Sequence, residues 1–549
     1  MFPLTIAPAN RARSMLVWPS FSVTIHVRLA TTTASNESCA KDKAGDPVET
    51  WLNGLLCLDA SKIQPISSGC PVPQDCELYY INRDTLFCYH KASEMFLQRL
   101  MSLYVASHYK NTPNDLQMLS DAPAHHLFCL LPPIDPNKTS LPEVLCVLQV
   151  CLEGVISRSS VQTGLTQGKR AAGDLIPWTI AQQFQDEEFP RLAGARVVRI
   201  ATHPDYQGMG YGSRALDLLE RYFVGEMVSL TDVSSSPSKK KKEEEIRALN
   251  DENQLLIFRE EIAPRNDLPP LLTKLSERKP EALDYLGVSY GVTAPLLKFW
   301  KKSGFVPVYL RQTANELTGE HSCIMLKQLV PPDAEKDSHE QSWLRMFWTD
   351  FQRRFISLLG FSFRSFSPQL ALGILQNNSP LIIESTEPTV PLSKQELLFH
   401  LSPYDIKRLD LYARNMADYH LITDLLPAIT RMYFTRQLAG IHLSAAQAAI
   451  FAGLGLQRKA VDKLSSELDL EPSQLLGLFN RSVKKIVVHL NEILETAVEK
   501  SLEISGTGDR SIGDKMSPLK ISLEKNLKRS GGENSDSWKK KKKKKFQKQ

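Results

Sequence analysis

An apolar strand that runs directly into a glycine-rich helix start constrains this chain more than any other feature of its sequence. Residues 197–201 have the length and composition of a buried strand, and residues 212–223 have the apolar spacing of an amphipathic helix. Between them stand Gly208, Gly210 and Gly212. Glycine tolerates positive φ and lets a ligand approach the backbone closely, and free amides at a helix N-terminus attract anions. The segment therefore predicts an α/β fold that binds a pyrophosphate at this helix start.

Two other interpretations of these glycines stay open. A tight turn that binds no ligand needs the same residue type. A dinucleotide-binding loop follows the pattern G-x-G-x-x-G, whereas here the third glycine, Gly212, comes one position too early. We therefore prefer a pyrophosphate cradle, a name used below for residues 207–213.

A second helix and strand occur later in the chain. Residues 296–308 read LLKFWKKSGFVPV, in which Trp300 stands four residues before Gly304. Further strand-length apolar runs occupy residues 127–131, 144–150 and 322–327, the last of which can close the sheet. Short strands that alternate with helices indicate an α/β core.

Composition divides the remainder of the 549 residues, which are too many for one domain. Residues 232–253, rich in serine, lysine and glutamate, predict a surface insertion. Helical periodicity continues from residue 343 to residue 494, and a polar tail follows. Within the tail, residues 539–545 are seven consecutive lysines, which repel one another, stay solvated and attract polyanions or an import receptor.

The nine cysteines indicate a reducing compartment, because their number is odd and no C-x-x-C pair occurs. Most lie in apolar stretches such as residues 55–58, where a free thiol packs as a small hydrophobe. The usual zinc spacing is missing, so no metal site is predicted. No apolar run approaches the roughly 18 to 20 residues of a membrane helix, so no membrane partner is predicted.

The first 44 residues contain Arg11, Arg13 and Arg28, many serines and threonines, and no acidic residue before Glu37. This composition fits a disordered or alternative leader, and it also fits a mitochondrial transit peptide.

The cradle resembles the coenzyme A site of the GNAT acyltransferases, which use the spacing Gln207-x-x-Gly210-x-Gly212. Residues 296–308 resemble the later helix and strand of the same fold. Many GNAT enzymes have, at the position of Trp300, a tyrosine that protonates the leaving thiolate. Because an indole N–H cannot do this, the acid must come from another residue.

Five further blocks narrow the resemblance: ELYYINRDTL at 77–86, SHYKN at 107–111, AHHLF at 124–128, GDLIPW at 173–178 and FVPVYLRQ at 305–312. From about residue 45 to the lysine-rich tail, the chain resembles the RNA cytidine acetyltransferases. That family acetylates the exocyclic amine of cytosine in small-subunit ribosomal RNA and in certain transfer RNAs.

The resemblance implies a domain plan. It places a GNAT acetyltransferase domain at residues 76–330 and a helical RNA-binding domain at residues 343–500, followed by a disordered lysine-rich tail at residues 501–549. Residues 45–75 resemble the end of the helicase-like ATPase module that full-length members carry before this point. We therefore expect a C-terminal portion of the family's plan. Full-length members are expected to bind ATP, and we expect the ATP-binding module to be absent here. Residues 164–170 resemble a P-loop, but they are one residue short of that motif and lack a Ser or Thr to hold Mg²⁺.

The resemblance also implies which residues contact acetyl-coenzyme A. These are Ile200, Ala201, Thr202, Gln207, Gly208, Met209, Gly210, Tyr211, Gly212 and Ser213. An arginine that adds a coenzyme contact in close relatives is replaced here by Pro295.

His108 and Tyr109, in the SHYKN block, are the candidate catalytic residues. The amine of cytosine is a poor nucleophile, so its attack on a thioester needs a base, and histidine has a suitable pKa. A core histidine at a helix end is the alternative interpretation of His108. Competing candidates are His125, His126, His203, Asp205 and Glu188.

Cations alternate with aromatic residues in the helical region, a composition that suits phosphate contact and base stacking and equally suits plain amphipathic helices. The cations are Arg345, Arg353, Arg354, Arg364, Lys407, Arg408, Arg414, Arg431 and Arg436, and the aromatics are Phe347, Trp348, Phe351, Phe355, Tyr404, Tyr412 and Tyr433. The family resemblance favours RNA binding.

The predicted function is acetyl transfer from acetyl-coenzyme A to cytidine in small-subunit ribosomal RNA and transfer RNA. The resemblance adds a tRNA adaptor protein and small guide RNAs as partners, leaves an oligomer open, and implies ribosome biogenesis in the nucleolus of the nucleus. One alternative is a protein or amine N-acetyltransferase that uses the same cradle. The other is a catalytically inactive RNA-binding factor of ribosome assembly.

Overall fold

The computed structural model describes residues 46–60, 63, 65–66, 69–107, 112–134, 141–168, 173–227, 268–316, 318–330, 343–377, 392–438 and 440–505. The expected leader, the insertion at 232–253 and the lysine run lie outside the described residues. His108 and Tyr109 also lie outside them.

One mixed sheet organises the first part of the described chain. Its eight strands lie in the order β5-β1-β2-β3-β4-β6-β8-β7. They are β1 (Glu77–Ile81), β2 (His125–Leu131), β3 (Cys146–Gly154), β4 (Ala193–Thr202), β5 (Leu272–Lys274), β6 (Tyr285–Gly291), β7 (Val306–Leu310) and β8 (Ser322–Gln328). Every neighbouring pair is antiparallel except β4 and β6, which are parallel. The predicted α/β core is confirmed.

Helices cover this sheet. They are α1 (Pro47–Leu55), α2 (Arg83–Leu86), α3 (Lys91–Ser107), α4 (Pro113–Asp121), α5 (Arg158–Gln167), α6 (Leu175–Phe184), α7 (Tyr211–Val224) and α8 (Ala294–Lys302). Helix α7 is the one predicted after the glycines. Before α2 and α3, residues 77–81 form strand β1. This strand pairs with β2 along residues 77–81 and with β5 along residues 79–81.

The second part of the described chain is helical, as predicted. Its helices are α9 (Trp343–Leu358), α10 (Pro368–Leu375), α11 (Lys394–His400), α12 (Pro403–Ala413), α13 (Leu426–Phe434), α14 (Ala445–Phe451), α15 (Val461–Leu468) and α16 (Pro472–Ser505), with a π-helix at Ala452–Leu456. Three of these helices start with reciprocal capping boxes, at Ser393, Ser402 and Ser444, which satisfy amides at the helix starts.

Most aromatic residues that we expected to stack on RNA bases lie in the core instead. Phe347, Trp348, Phe351 and Phe355 on α9 are all buried, in one hydrophobic cluster with the sheet strands. Tyr412 on α12 is also buried. Helical spacing indicates an apolar stripe but does not distinguish a stripe that meets RNA from one that meets protein. The stacking role is therefore wrong for these residues.

The cysteines behave as predicted where they are described. Cys76, Cys129, Cys146 and Cys323 are buried free thiols, and burial raises the pKa of Cys146 to about 12. Such thiols stay protonated and unreactive. Among the described residues, no helix is both long and apolar enough to cross a membrane.

Candidate active site

Strands β4 and β6 separate along part of their length, and we call the space between them the gap. The two strands pair only from Gly194 with Tyr285 to Val197 with Val288. Beyond that point β4 continues to Thr202 beside β3, and β6 continues to Gly291 beside β8. Residues 198–202 and 289–291 therefore turn unpaired backbone edges toward each other, and such an edge is a template for an extended, amide-bearing ligand.

A β-bulge at Val198 opens the gap. Gln149 of β3 lies opposite Arg199 and Val150 lies opposite Val197, so Val198 is an extra residue in β4. A bulge bends its strand and increases the local twist, and here it occurs where β4 and β6 separate. The free edge of β4 contains Ile200, Ala201 and Thr202, the residues for which the resemblance implies a coenzyme contact.

The cradle follows this edge directly. After Thr202 comes a 3₁₀ turn, Pro204–Tyr206, and then Gly208 and Gly210 with φ of 77° and 100°. Gly210 caps α7. By helix geometry the amides of residues 211–213 have no intrahelical acceptor, so they and the helix dipole form an anion site. The free edge and this anion site are continuous.

Gly212 lets α7 pack closely against β4 and α8. A Cβ atom there would lie 3.3 Å from the Thr202 hydroxyl and 3.5 Å from the Phe299 ring of α8. Helices α7 and α8 thus approach closely around the end of β4. Of the other cradle side chains, Gln207 donates to the Thr202 carbonyl over 3.4 Å, and Met209 is half exposed.

A segment before β1 holds the cradle in place. The buried Tyr211 hydroxyl donates to the carbonyl of Pro71 over 2.6 Å, and Tyr206 donates to the carbonyl of Gly69 over 3.0 Å. Arg214 donates to the carbonyl of Gln74 over 3.0 Å. Sequence reasoning assigned residues 45–75 to a remnant of another module and missed this contact, for which the sequence carries no local signal.

Arg199 is the most informative residue that sequence reasoning missed. Its guanidinium bonds Asp115 of α4 over 2.8 Å and lies 5.6 Å from the centre of the Tyr104 ring of α3. Burial raises the pKa of Tyr104, whose hydroxyl has no hydrogen-bond partner among the described residues. A charged residue inside the apolar run of 197–201 was the available signal, since an arginine in a buried strand needs a partner.

The neighbours of the proposed catalytic pair flank Arg199. Helix α3 ends at Ser107, immediately before His108 and Tyr109, and the next described residue is Thr112. Tyr104 on one side and Asp115 on the other both contact Arg199, which lies on the free part of β4.

His125 and His126, the competing histidines, lie at the start of β2, two strands away from β4. His125 contacts the Gln149 amide over 2.9 Å, and His126 lies 3.8 Å from Glu281. Burial and nearby arginines lower the pKa of both, so both are neutral near pH 7. Two strand spacings are about 10 Å, so neither histidine lines the gap.

The remaining candidates for the general base are His203, Asp205 and Glu188. His203 is buried, caps the 3₁₀ turn and contacts Tyr206 with its ring. The Asp205 side chain is exposed, and Glu188 forms exposed ion pairs with Arg191 and Arg158. Asp205 and Glu188 thus lack a desolvated site, whereas His203 is buried.

Two aromatic residues near the gap fail as proton donors. Trp300 is buried in an aromatic cluster with Phe299 and Phe305. Tyr290, on the free part of β6, donates to the Met325 sulfur over 3.0 Å, and burial raises its pKa. An acid works best when its pKa is near the working pH, so Tyr290 is too weak an acid. In the described part of the chain, no group of three or more His, Cys, Asp and Glu could hold a metal ion.

Comparison with protein families gives two matches that divide the chain where the sheet ends and α9 begins. Residues 99–330 match the family described as GNAT acetyltransferase 2. Residues 343–549 match the family described as "Possible tRNA binding domain".

Among curated proteins, the chain is similar to RNA cytidine acetyltransferases. The mouse protein is 60% identical over 460 residues, which are 83% of this chain and 44% of the mouse protein. The human protein is also 60% identical over 460 residues, or 83% of this chain and 43% of that protein. The Saccharomyces cerevisiae protein is 47% identical over 470 residues, again 83% and 43%. The chain thus spans less than half the length of these relatives.

Proposed function

Since this chain belongs to the family of the RNA cytidine acetyltransferases, we propose that it transfers an acetyl group from acetyl-coenzyme A to the exocyclic amine of cytidine in RNA. One observation carries this proposal: the free edge of β4 leads directly into the anion-binding start of α7. An extended ligand with amides along its length and a pyrophosphate at one end matches that arrangement.

Coenzyme binding is assigned to backbone atoms. The amides of residues 211–213, aided by the positive φ of Gly208 and Gly210, hold the pyrophosphate. The free edge at Ile200, Ala201 and Thr202 pairs with the pantetheine amides, as a strand would. When bound, the coenzyme supplies the thioester. The free edge at Ile200, Ala201 and Thr202 would orient it along the gap.

Proton removal from the cytosine amine is assigned to His108, with Tyr109 as a proton donor or hydrogen-bond partner. The contacts of Tyr104 and Asp115 with Arg199 support this, because they bring both flanks of the pair to the edge of the gap. Arg199 is a positioning residue, since its charge is already matched by Asp115. A general base at this position contributes roughly 10²- to 10⁴-fold to the rate.

The acceptor is proposed to be small-subunit ribosomal RNA and transfer RNA. The names of the relatives support RNA as the acceptor class, and the name of the second matching family supports transfer RNA. A tRNA adaptor protein and small guide RNAs are the proposed accessory partners, and ATP is the proposed second cofactor of full-length members of the family. The lysine run at 539–545 supports a nuclear, nucleolar location and work in ribosome biogenesis.

One experiment tests the function. The chain is incubated with isotopically labelled acetyl-coenzyme A and total RNA, and labelled acetylcytidine is quantified after digestion to nucleosides. We expect acetylcytidine from the wild-type chain and none from a Gly212→Glu control. Label on added histones or polyamines but not on RNA would instead support a protein or amine acetyltransferase. Retained RNA binding without label on any acceptor would support an inactive binding factor.

A further inference from the structure

A bowl-shaped cavity of about 550 Å³ lies in the helical region, away from the gap and the cradle. The end of α9 with the turn after it, helix α13, and the π-helix at Ala452–Leu456 form its walls. We call this cavity the bowl. A π-helix widens the helical turn and is frequent at functional sites. No residue of the bowl belongs to the proposed coenzyme site.

Positive charge converges on the bowl without local compensation. Arg353, Arg431 and Arg458 line it together with His400, and no aspartate or glutamate is among the lining residues. None of the three arginines forms an ion pair with a carboxylate in the described part of the chain. Arg431 reaches only the Ser357 hydroxyl, over 3.4 Å. Like charges that share a cavity repel one another, so an anion placed between them is favoured.

The floor and rim of the bowl are apolar. Ile356, Met432 and Leu456 supply the floor. At the rim Phe361 is 74% exposed. A large exposed aromatic ring beside arginines is the arrangement on which unpaired bases stack. A phosphate alone would need the arginines but not this ring.

The bowl also contains an unused hydrogen-bonding group. Gln437 lines the bowl, and its side-chain oxygen is buried and has no hydrogen-bond partner among the described residues. A buried polar atom without a partner costs free energy, so the site is incomplete without a donor. The glutamine amide is both donor and acceptor and suits the edge of a nucleobase.

We propose that the bowl binds one unstacked nucleotide of single-stranded RNA. Its base stacks on Phe361 over the apolar floor, its edge meets Gln437, and the adjoining phosphates meet Arg353, Arg431 and Arg458. This inference rests on the proposed function in taking RNA as the ligand class. An acidic peptide would use the arginines but would leave the ring and the amide unexplained. The bowl thus holds the RNA by a nucleotide other than the acetylated cytidine.

Binding of labelled RNA to the full chain, without coenzyme, tests the proposal. The probes are an unstructured 12-nucleotide RNA and a blunt RNA duplex of equal length. Phe361→Ala should weaken single-strand binding by roughly 5- to 150-fold, the range for loss of one stacked base, and leave duplex binding unchanged. Phe361→Trp should restore it, because the ring is retained. Since Phe361 is exposed, neither variant should change the unfolding temperature.

Two further measurements test the phosphate contacts of the arginines and the contact of Gln437 with the base edge separately. The association constant for the single strand falls as salt rises, and Arg431→Gln should make the slope of log K against log salt less negative by about 0.7, the value for one lost phosphate contact. Arg481→Gln, an exposed arginine on α16 outside the bowl, is the matched charge control and should leave the slope unchanged. Gln437→Leu should remove the preference among 12-mers that differ at one base.

The outcomes separate this proposal from the proposed function. Equal losses for single strand and duplex, or no loss in Phe361→Ala, overturn the bowl even if the wild type makes acetylcytidine. Single-strand binding that depends on Phe361, in a chain that makes no acetylcytidine, leaves the bowl standing and counts against the enzyme.

Discussion

At the scale of single residues, the size and charge of each side chain decide what the proposed coenzyme site can hold. Gly212 has close neighbours, because a Cβ built on it lies 3.3 Å from the Thr202 hydroxyl and 3.5 Å from the Phe299 ring. Arg199 shows the opposite case, in which a long charged side chain is accommodated because Asp115 and Tyr104 surround it. The proposed coenzyme binding at Gly212 depends on backbone amides, whereas the position of the Arg199 side chain depends on its ion pair with Asp115.

The first prediction concerns Gly212→Glu. A carboxylate at the helix start opposes the pyrophosphate by repulsion and by bulk, so coenzyme affinity measured by calorimetry should fall below detection. Gly477→Glu, at an open position on α16, is the control and should bind normally. A folded Gly212→Glu chain with unchanged affinity would rule out the cradle.

The second prediction concerns the catalytic pair. His108→Ala should lower the single-turnover rate of acetyl transfer by roughly 10²- to 10⁴-fold, while calorimetry shows nearly unchanged coenzyme affinity, since the cradle lies on another element. Tyr109→Phe retains the ring and isolates the role of the hydroxyl. Near-normal turnover in His108→Ala would return this histidine to a structural role.

At the scale of elements, the short parallel contact between β4 and β6 both joins the sheet and creates its gap. Four residue pairs hold the strands together, from Gly194 with Tyr285 to Val197 with Val288. The buried Tyr285 ring lies over Gly194, which therefore has no room for a Cβ. The pairing end of the strands is consequently rigid, and the open end is left for ligand.

The third prediction follows from that contact. A Cβ on Gly194 would come within 2.0 Å of the Tyr285 ring, so Gly194→Val should lower the free energy of unfolding in urea by about 1–3 kcal/mol or more. Gly477→Ala, where the added carbon meets nothing within 4 Å, should instead raise it by about 0.5–1 kcal/mol. Equal effects of the two substitutions would contradict the close packing of β4 on β6.

The fourth prediction is a pH dependence at β2. Burial lowers the pKa of His125 and His126 below the ordinary 6.5 in the folded state. Below pH 6.5 the unfolded chain therefore binds protons that the folded chain does not, so the free energy of unfolding should fall as pH falls. Urea unfolding at pH 7.5 and pH 5.5 measures this. His126→Asn should reduce the difference, and the exposed His400→Asn should not.

At the scale of the whole molecule, the sheet and the helical region share one hydrophobic cluster. Phe347 and Phe355 of α9 belong to the same buried cluster as Tyr285 and Val306 of the sheet. A second cluster lies within the helical region and contains Phe479 and Leu490 of α16. The bowl lies beside α9, so the proposed RNA pocket rests on the helix that also packs against the acetyltransferase sheet.

The fifth prediction concerns the lysine run at 539–545. Its charge supports recognition by an import receptor and retention on polyanions, so deletion of the run from a tagged chain should shift fluorescence from the nucleolus towards the cytoplasm. Replacement by seven arginines should preserve the nucleolar signal. A tagged chain found in mitochondria would contradict the proposed location and support a transit peptide in residues 1–44.

The sequence by itself determined the local features of this protein. The strand–glycine–helix geometry of the cradle could be predicted because strand, glycines and helix are contiguous, and backbone geometry at Gly208 and Gly210 depends on short-range sterics. The α/β core, the helical second part and α7 were predictable for the same reason. The family could be identified from short blocks of sequence without knowledge of their contacts.

Only the tertiary structure decided which distant segments meet. The gap exists because β4 pairs briefly with β6, a strand separated from it by residues 203–284, and no local pattern specifies that partner. Burial of Phe351 and exposure of Phe361 depend on which face of the chain the sheet covers. Amphipathic spacing gives the direction of a side chain from its helix, whereas the identity of the surface it meets is a property of the packed molecule.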